Sequence, residues 1–321
     1  MKKDLISISD ITKDDITGIF RTAELLKKGR KKAGTVLKGR NIALIFQKPS
    51  TRTRVSFEVA VEHLGGHALF LSAREMQLGR GETVADTARI LSRYVDMLVI
   101  RANSHEDIME LARHSGKPVI NALSDREHPC QILSDIFTIA EKFRLIDSMK
   151  VSDIKLTYVG DGNNIVNSLL LLCSMLGMKI SVCTPESYEP DSGILEQAGA
   201  IANTTGAGIS LLYNPYEAVK NADFVYTDVW TSMGQEKEEE ERRKVFRTYQ
   251  VNEALLKKAK KNVYVMHCLP AHRGLEITDE VMDGPHSIVY DQAENRLHVQ
   301  KALLLHMMSS GKKGKSHRRK R

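Results

Sequence analysis

A chain of 321 residues, 42% hydrophobic and 27% charged, is long enough for two ordinary globular domains and too apolar to be disordered throughout. Its formal charge of +7 suggests nucleic acid, yet the last eleven residues, GKKGKSHRRKR, hold seven of the 47 Lys and Arg, and the remaining 40 balance 40 Asp and Glu. Four cysteines without a CxxC pair argue against a secreted disulfide scaffold and fit reduced thiols; MKKDLISISDIT lacks the apolar core of a signal peptide and no apolar run is long enough to span a membrane, so a cytoplasmic location is expected.

Short strand-like runs alternate with helical patterns from residue 41 onward, which predicts an α/β architecture with parallel sheets. The first strand, NIALIF (41–46), leads into Pro49 and then STRTR (50–54), the start of a helix over 51–64. Ser50 is placed to cap that helix. A cap needs one hydroxyl, whereas Ser50, Thr51 and Thr53 with Arg52 supply several donors at the positive end of a helix, which favours an anion site, a phosphate above all. HALFL (67–71) and DMLVIR (96–101) follow as strands, with helices near 83–94 and 105–115. Arg101 closes the second of these strands, where a buried charge needs a partner: an anionic ligand, or Asp96 or a nearby glutamate. PVINAL (118–123) is the fourth strand, and EHPCQ (127–131) places His128 before a proline suited to a first helical turn, with Gln131 one turn on. His128 there is either an oxyanion donor or a satisfied core histidine.

The segment FRLIDSMKVSDI (143–154) interrupts the alternation, and a domain boundary is expected near 147–152. The second half offers KLTYVG (155–160), KISVCT (179–184), ISLLY (209–213), DFVYTDVW (223–230), NVYVMHCL (262–269) and SIVYDQ (287–292) as strands. GDGNN (160–164) lacks the GxGxxG spacing of a dinucleotide site. EKEEEERRK (236–244) reads as a solvated helix face with mixed-sign pairs. HCLPAHRG (267–274) joins one cysteine to two histidines, but no further ligands complete a zinc set; a Cys–His nucleophile or a thiol lining a pocket remain. The final helix, NRLHVQKALLLHMMSS, is expected to stop at Gly311, before the basic, disordered tail. Chemistry-bearing residues recur just past strand ends, where open parallel sheets bind ligands, and this predicts two sheets whose strand ends line one interdomain cleft.

Taken in order, STRTR, HPCQ (128–131), GDGNN, DVWTSMG (228–234), HCLP (267–270) and ENR (294–296) resemble the aspartate and ornithine carbamoyltransferase family over residues 5 to about 305. The resemblance implies two similar-sized doubly wound domains: 1–147 for carbamoyl phosphate, with a helix at about 296–310 packing back on it, and 148–295 for the amino-acid substrate, leaving 311–321 as tail. It implies transfer of the carbamoyl group of carbamoyl phosphate to the δ-amine of L-ornithine, giving L-citrulline and phosphate, without metal or organic cofactor. Position by position, Ser50, Thr51, Arg52 and Thr53 would bind phosphate; Arg101 and His128 would share the carbonyl oxygen; Gln131, the Cys268–Leu269 backbone and Arg296 would address the carbamoyl amide end. Gln77 would be lent to a neighbouring subunit, implying a homotrimer or a multiple of one. Asn164, Asp228, Ser232 and the Met233 backbone would hold ornithine, with the Cys268 thiol near the attacking amine. SMG and HCLP disfavour aspartate; putrescine and N-acetylornithine are the close alternatives. A non-catalytic anion- or nucleic-acid-binding role would rest on the tail alone.

Overall fold

The computed structural model describes residues 3–30, 34–77, 81–232 and 236–313, the side chains of 236 and 309–313 excepted. The chain forms two compact units, Met1–Asp147 with Asn295–Arg321, and Ser148–Glu294.

The first unit is built on a four-stranded, wholly parallel sheet: β1 (Asn41–Phe46), β2 (His67–Ser72), β3 (Met97–Arg101) and β4 (Val119–Leu123), in the order β2-β1-β3-β4. Alternation decides which side chains face which layer. Ala43 and Ile45 of β1 and Leu98 and Ile100 of β3 share one face, packed with Ala88 of α3 (Val84–Tyr94) and Ile108 and Leu111 of α4 (His105–Ser115). The helices begin at residues able to cap them: Thr12 for α1 (Lys13–Lys27), Ser50 for α2 (Thr51–His63), Thr83 for α3 and Ser104 for α4, each accepting a backbone N–H of the first turn. α5 (Pro129–Lys142) instead starts on proline.

The second unit repeats the plan with five parallel strands in the order β7-β6-β5-β8-β9: β5 (Lys155–Val159), β6 (Lys179–Cys183), β7 (Ile209–Leu212), β8 (Phe224–Thr227) and β9 (Tyr264–His267). Around it lie α6 (Asn164–Leu176), α7 (Ser192–Thr205), α8 (Pro215–Ala218), α9 (Glu239–Phe246), α10 (Glu253–Leu256) and α11 (Asp279–Met282). α6 is nearly all buried, as its LLLL run requires.

Three expectations need correction. SIVYDQ is not a strand: Ser287 makes only an isolated parallel bridge to Val265, and α12 (Val289–Lys313) starts two residues later. The β-branched residues yield to the long helical pattern that follows, and Gln292 is used as a helical residue, its Oε1 accepting the His267 N–H at 3.0 Å. α12 also runs past Gly311 to Lys313. The acidic–basic run at 236–244 is not all solvated either, because Arg242 is buried.

Both sheets change direction at an inner strand. In the first, the chain leaves β1 for β2 on one side and returns through β3 on the other, so the ends of β1 and β3 flank the switch point, with Phe46 in register with Arg101. In the second, β5 and β8 do the same. Among the described residues no helix is long and apolar enough to cross a membrane.

Candidate active site

In the first unit the switch point is crowded with donors. Ser50 is extended (φ −163°) and its Oγ accepts the Thr53 N–H at 3.4 Å while donating to Thr53 Oγ1 at 3.0 Å. Thr53 is fully buried, and its Oγ1 also accepts Arg296 Nη2 at 2.9 Å, a bond from the far end of the chain. A hydroxyl that accepts two hydrogen bonds has its own proton left to donate. Arg52 beside it is half-buried and Thr51 exposed. The second arginine of the motif, Arg54, is engaged elsewhere: its Nε pairs with Glu58 at 3.0 Å and its guanidinium lies 3.6 Å over the Phe70 ring. One arginine of the pair is thus structural.

Arg101, at the end of β3, is 6% exposed. A shift in the β3–β4 register falls between Ile100 and Arg101, and the Arg101 carbonyl accepts the Gln47 N–H at 2.9 Å. His128 precedes Pro129 and is 4% exposed. Burial first, then the positive charges of Arg296 and Arg101, hold its ring well below the usual imidazole range. It is therefore a neutral imidazole near neutral pH, able to donate a single N–H. Gln131 is buried with Nε2 donating to Asp135 Oδ1 at 2.9 Å, which fixes the side-chain carbonyl in the opposite direction. Cys130 next to it is inert: burial pushes its thiol up to about 12, and Sγ donates to the Asn121 carbonyl at 3.4 Å.

Thr53, Ser50 and Arg296 are therefore joined by hydrogen bonds, and His128 feels the charges of Arg101 and Arg296. The arrangement can hold a phosphate on the α2 amino terminus and direct donors at an adjoining oxygen. Gln77 is not part of it among the described residues: its side chain is exposed, and its carbonyl accepts the Glu82 N–H at 3.1 Å.

In the second unit the carboxyl ends of β5, β8 and β9 bring together Asn163, Asp228 and Cys268. Cys268 Sγ donates to Asp228 Oδ1 at 2.8 Å, the Val229 N–H reaches the same oxygen at 2.8 Å, and Asn163 Nδ2 donates to Oδ2 at 2.8 Å. Asn163 also caps α6, accepting the Ile165 N–H at 3.0 Å. Asn164, half-buried, opens the helix, and Ser232 is half-buried four residues after Asp228. Met233 lies outside the described residues.

Behind Cys268 stands a fully buried pair. His267 Nε2 lies 3.1 Å from Glu276 Oε1, and His267 Nδ1 accepts the Leu269 N–H at 2.8 Å. The proton therefore sits on Nε2, facing the carboxylate. Leu269 adopts φ +60°, costly for a branched side chain, and its N–H bond to His267 holds it there. Asp228, His267 and Cys268 place ligand atoms within 4.8 Å of one another. Both ring nitrogens of His267 are committed, however, to Glu276 and to the Leu269 N–H, while Cys268 is bonded to Asp228. Asn163 and Glu276 were not singled out in the sequence. The doubled Asn of GDGNN was a signal for the first; nothing marked the second.

The aspartate/ornithine carbamoyltransferase carbamoyl-P binding domain matches residues 3–141, and the Asp/Orn binding domain of the same family matches residues 152–307. An ornithine carbamoyltransferase of Pyrococcus abyssi is 53% identical over 314 residues, 97% of this chain and 98% of that one. One from Syntrophus aciditrophicus is 57% identical over 306 residues, 95% and 99% of the two chains. The solved ornithine carbamoyltransferase of Pyrococcus furiosus superposes with a TM-score of 0.88 at 54% identity, covering 94% of this chain and 95% of that one. The solved anabolic enzyme of Campylobacter jejuni gives 0.90 at 41% identity, covering 97% and 100%. Matched in both halves and in order, this chain belongs to the aspartate/ornithine carbamoyltransferase family.

Proposed function

We propose that the protein transfers the carbamoyl group of carbamoyl phosphate to the δ-amine of L-ornithine, giving L-citrulline and phosphate. The observation that carries the carbamoyl phosphate half is the buried Thr53 hydroxyl held between Ser50 and Arg296 at the α2 amino terminus. Ser50, Thr51, Arg52 and Thr53 take the phosphate, Arg101 and His128 donate to the carbonyl oxygen, and Gln131 and Arg296 address the carbamoyl amide end. The Cys268–Leu269 backbone serves that amide as well. In the second unit Asp228, Asn164, Ser232 and the Met233 backbone hold the amino-acid end of ornithine, and Cys268 orients the attacking amine.

The reaction is an attack by neutral amine on an acyl phosphate. Free ornithine keeps its δ-amine protonated, with a pKa like that of lysine at about 10.4. Cationic neighbours and loss of water lower it, releasing the lone pair. As the C–N bond forms, charge collects on the carbonyl oxygen, where neutral His128 and cationic Arg101 stabilise it. The C–O bond to phosphate then breaks, and the leaving phosphate takes both the electron pair and the amine proton. The mixed anhydride is already activated, so neither metal nor organic cofactor is required.

A homotrimer, or a multiple of one, is part of the same reading. Exposed Gln77 fits a residue lent to a neighbouring subunit, and Val55, Ile90 and Tyr94 of the first unit leave apolar surface on α2 and α3 for a second copy. The biosynthetic direction follows the relatives named anabolic. A cytoplasmic location fits the same reading.

The test is a colorimetric assay of carbamoylated product across L-ornithine, N-acetylornithine, putrescine and L-aspartate, with mass measured in solution. Citrulline should form far faster than any other product. A faster putrescine reaction would overturn the substrate assignment, and a monomer of full activity would remove the shared-site reading.

A further inference from the structure

One ion pair of the second unit is set apart from the rest. Arg242, on α9, belongs to a run of mixed charge, yet it is 6% exposed. Its Nη1 lies 3.0 Å from Asp161 Oδ1, and the same nitrogen donates to the Trp230 carbonyl at 2.9 Å. Its Nε pairs with Glu238 at 3.0 Å, and its guanidinium sits 5.0 Å from the Tyr188 ring centroid. Tyr188 in turn accepts the Gly162 N–H at 2.9 Å, at a place so close that a Cβ on Gly162 would lie 2.3 Å from the Glu189 carbonyl carbon.

These contacts converge on two loops. Asp161 and Gly162 stand immediately before Asn163, which bonds Asp228, and before Asn164. Trp230 stands between Asp228 and Ser232. Arg242 therefore ties the loop after β5 to the segment after β8 from behind, without itself entering the cluster of Asp228, Asn163 and Cys268 among the described contacts. A buried guanidinium suits this role because Nη1 meets the Asp161 carboxylate and the Trp230 carbonyl while Nε, in the same rigid plane, meets Glu238, a fixed geometry that a freely rotating ammonium does not impose. Burial, with the Asp228 charge on the same side, raises the Asp161 carboxyl to about 6 even though Arg242 opposes the shift, so the pair sits in a dry site where its loss is costly.

We propose that Arg242 is a positioning residue for the amino-acid substrate, setting the spacing between the loop bearing Asn164 and the segment bearing Asp228 and Ser232. The proposal rests on the reading of the second unit as the ornithine half. Arg242 touches no reacting atom; it acts through the two loops that it holds.

The experiment uses the full chain with Arg242→Gln, Arg242→Lys and Asp161→Asn, and reads KM for each substrate, kcat, thermal unfolding and the emission of Trp230, the chain's one tryptophan. Arg242→Gln should raise the KM for L-ornithine by at least about tenfold, since hydrogen bonds to charged groups are lost, while the KM for carbamoyl phosphate moves less than about twofold. Arg242→Lys should recover part of the loss. Trp230 emission should shift to the red in Arg242→Gln and approach the wild-type value in Arg242→Lys. Should Arg242→Gln not fold, the lysine variant and Asp161→Asn carry the same comparison. An unchanged ornithine KM in a folded Arg242→Gln protein, or an equal rise in both KM values, would overturn the proposal. A wild type that forms no citrulline would instead refute the function. Trp230 emission would then still decide whether Arg242 holds the segment.

Discussion

The Thr53 hydroxyl accepts from both Ser50 and Arg296, so its proton is the natural donor to a bound phosphate or carbonyl oxygen. Thr53→Val keeps the shape and removes both roles; it should raise the KM for carbamoyl phosphate by about 10–100-fold in steady-state assays, the worth of hydrogen bonds to charged groups. Arg52→Gly should abolish carbamoyl phosphate binding in calorimetry, whereas Arg54→Ala should leave binding intact and cost a few tenths to about 1 kcal/mol of stability through Glu58 and Phe70. Residue type alone does not separate these two arginines; the family resemblance picks Arg52, and the fold shows that Arg54 lies over Phe70. Likewise Asn163 and Asn164 are indistinguishable as letters, and the geometry alone shows that Asn163 caps α6 and bonds Asp228.

His128 yields a prediction of opposite kind. Its ring is held neutral, well below its ordinary 6.5, by burial and by Arg296 and Arg101. In the unfolded chain it takes a proton as pH falls through 6.5, and in the folded chain it does not, so this group's contribution is present above 6.5 and lost below it. Wild-type protein should therefore lose stability in urea melts between pH 7 and about 5.5, and His128→Asn should lose less over that window. An equal loss in both proteins would place the acid sensitivity elsewhere.

At the scale of elements, the strands were legible because alternation and β-branched runs coincide, and the helices near 51–64, 83–94 and 105–115 because Ser50, Thr83 and Ser104 can cap them, whereas α1, capped by Thr12, was not expected. SIVYDQ misled because a three-residue apolar run carries no period of its own, and only its neighbours decide between strand and helix. The run at 236–244 misled for the converse reason: charge composition cannot show that one of its arginines faces Asp161, some eighty residues earlier in the chain. α12 also contains a flaw that no pattern reveals. Gln300 is fully buried, and neither polar atom of its amide has a hydrogen-bond partner among the described residues. Removing such an amide relieves a desolvation penalty, so Gln300→Leu should raise the unfolding free energy by about 1–3 kcal/mol in urea melts. A loss of stability would mean that the amide is satisfied after all.

At the scale of the whole molecule, charge was informative about what the body is not. The excess sits in the last eleven residues, while the rest balances 40 against 40. A chain shortened to 310 residues should keep full carbamoyl transfer, measured as citrulline formed, and its activity should depend on salt no more than that of the full chain. The doubling of the αβ plan was also readable, since each half repeats strand-then-helix and places its reactive residues after strand ends. Composition and periodicity do not give the closure of the first unit by residues from the far end of the chain, which was expected only through the family resemblance. Lys27 Nζ bonds Asn295 Oδ1 at 2.8 Å and Glu141 Oε2 at 2.9 Å, and Asn295 Nδ2 reaches Thr138 at 3.0 Å, so the turn of α12 carrying Arg296 is fastened to α1 and α5.

That fastening has a consequence for biogenesis. Thr53 and Arg296 are 243 residues apart, and at translation rates of about 5–20 residues per second the donor from α12 emerges roughly 12–50 s after the hydroxyl it must meet. Throughout that interval the nascent first unit carries an unfinished anion cradle on the ribosome. A chain that stops before Arg296 lacks this donor, and the cradle is complete only once α12 has been made.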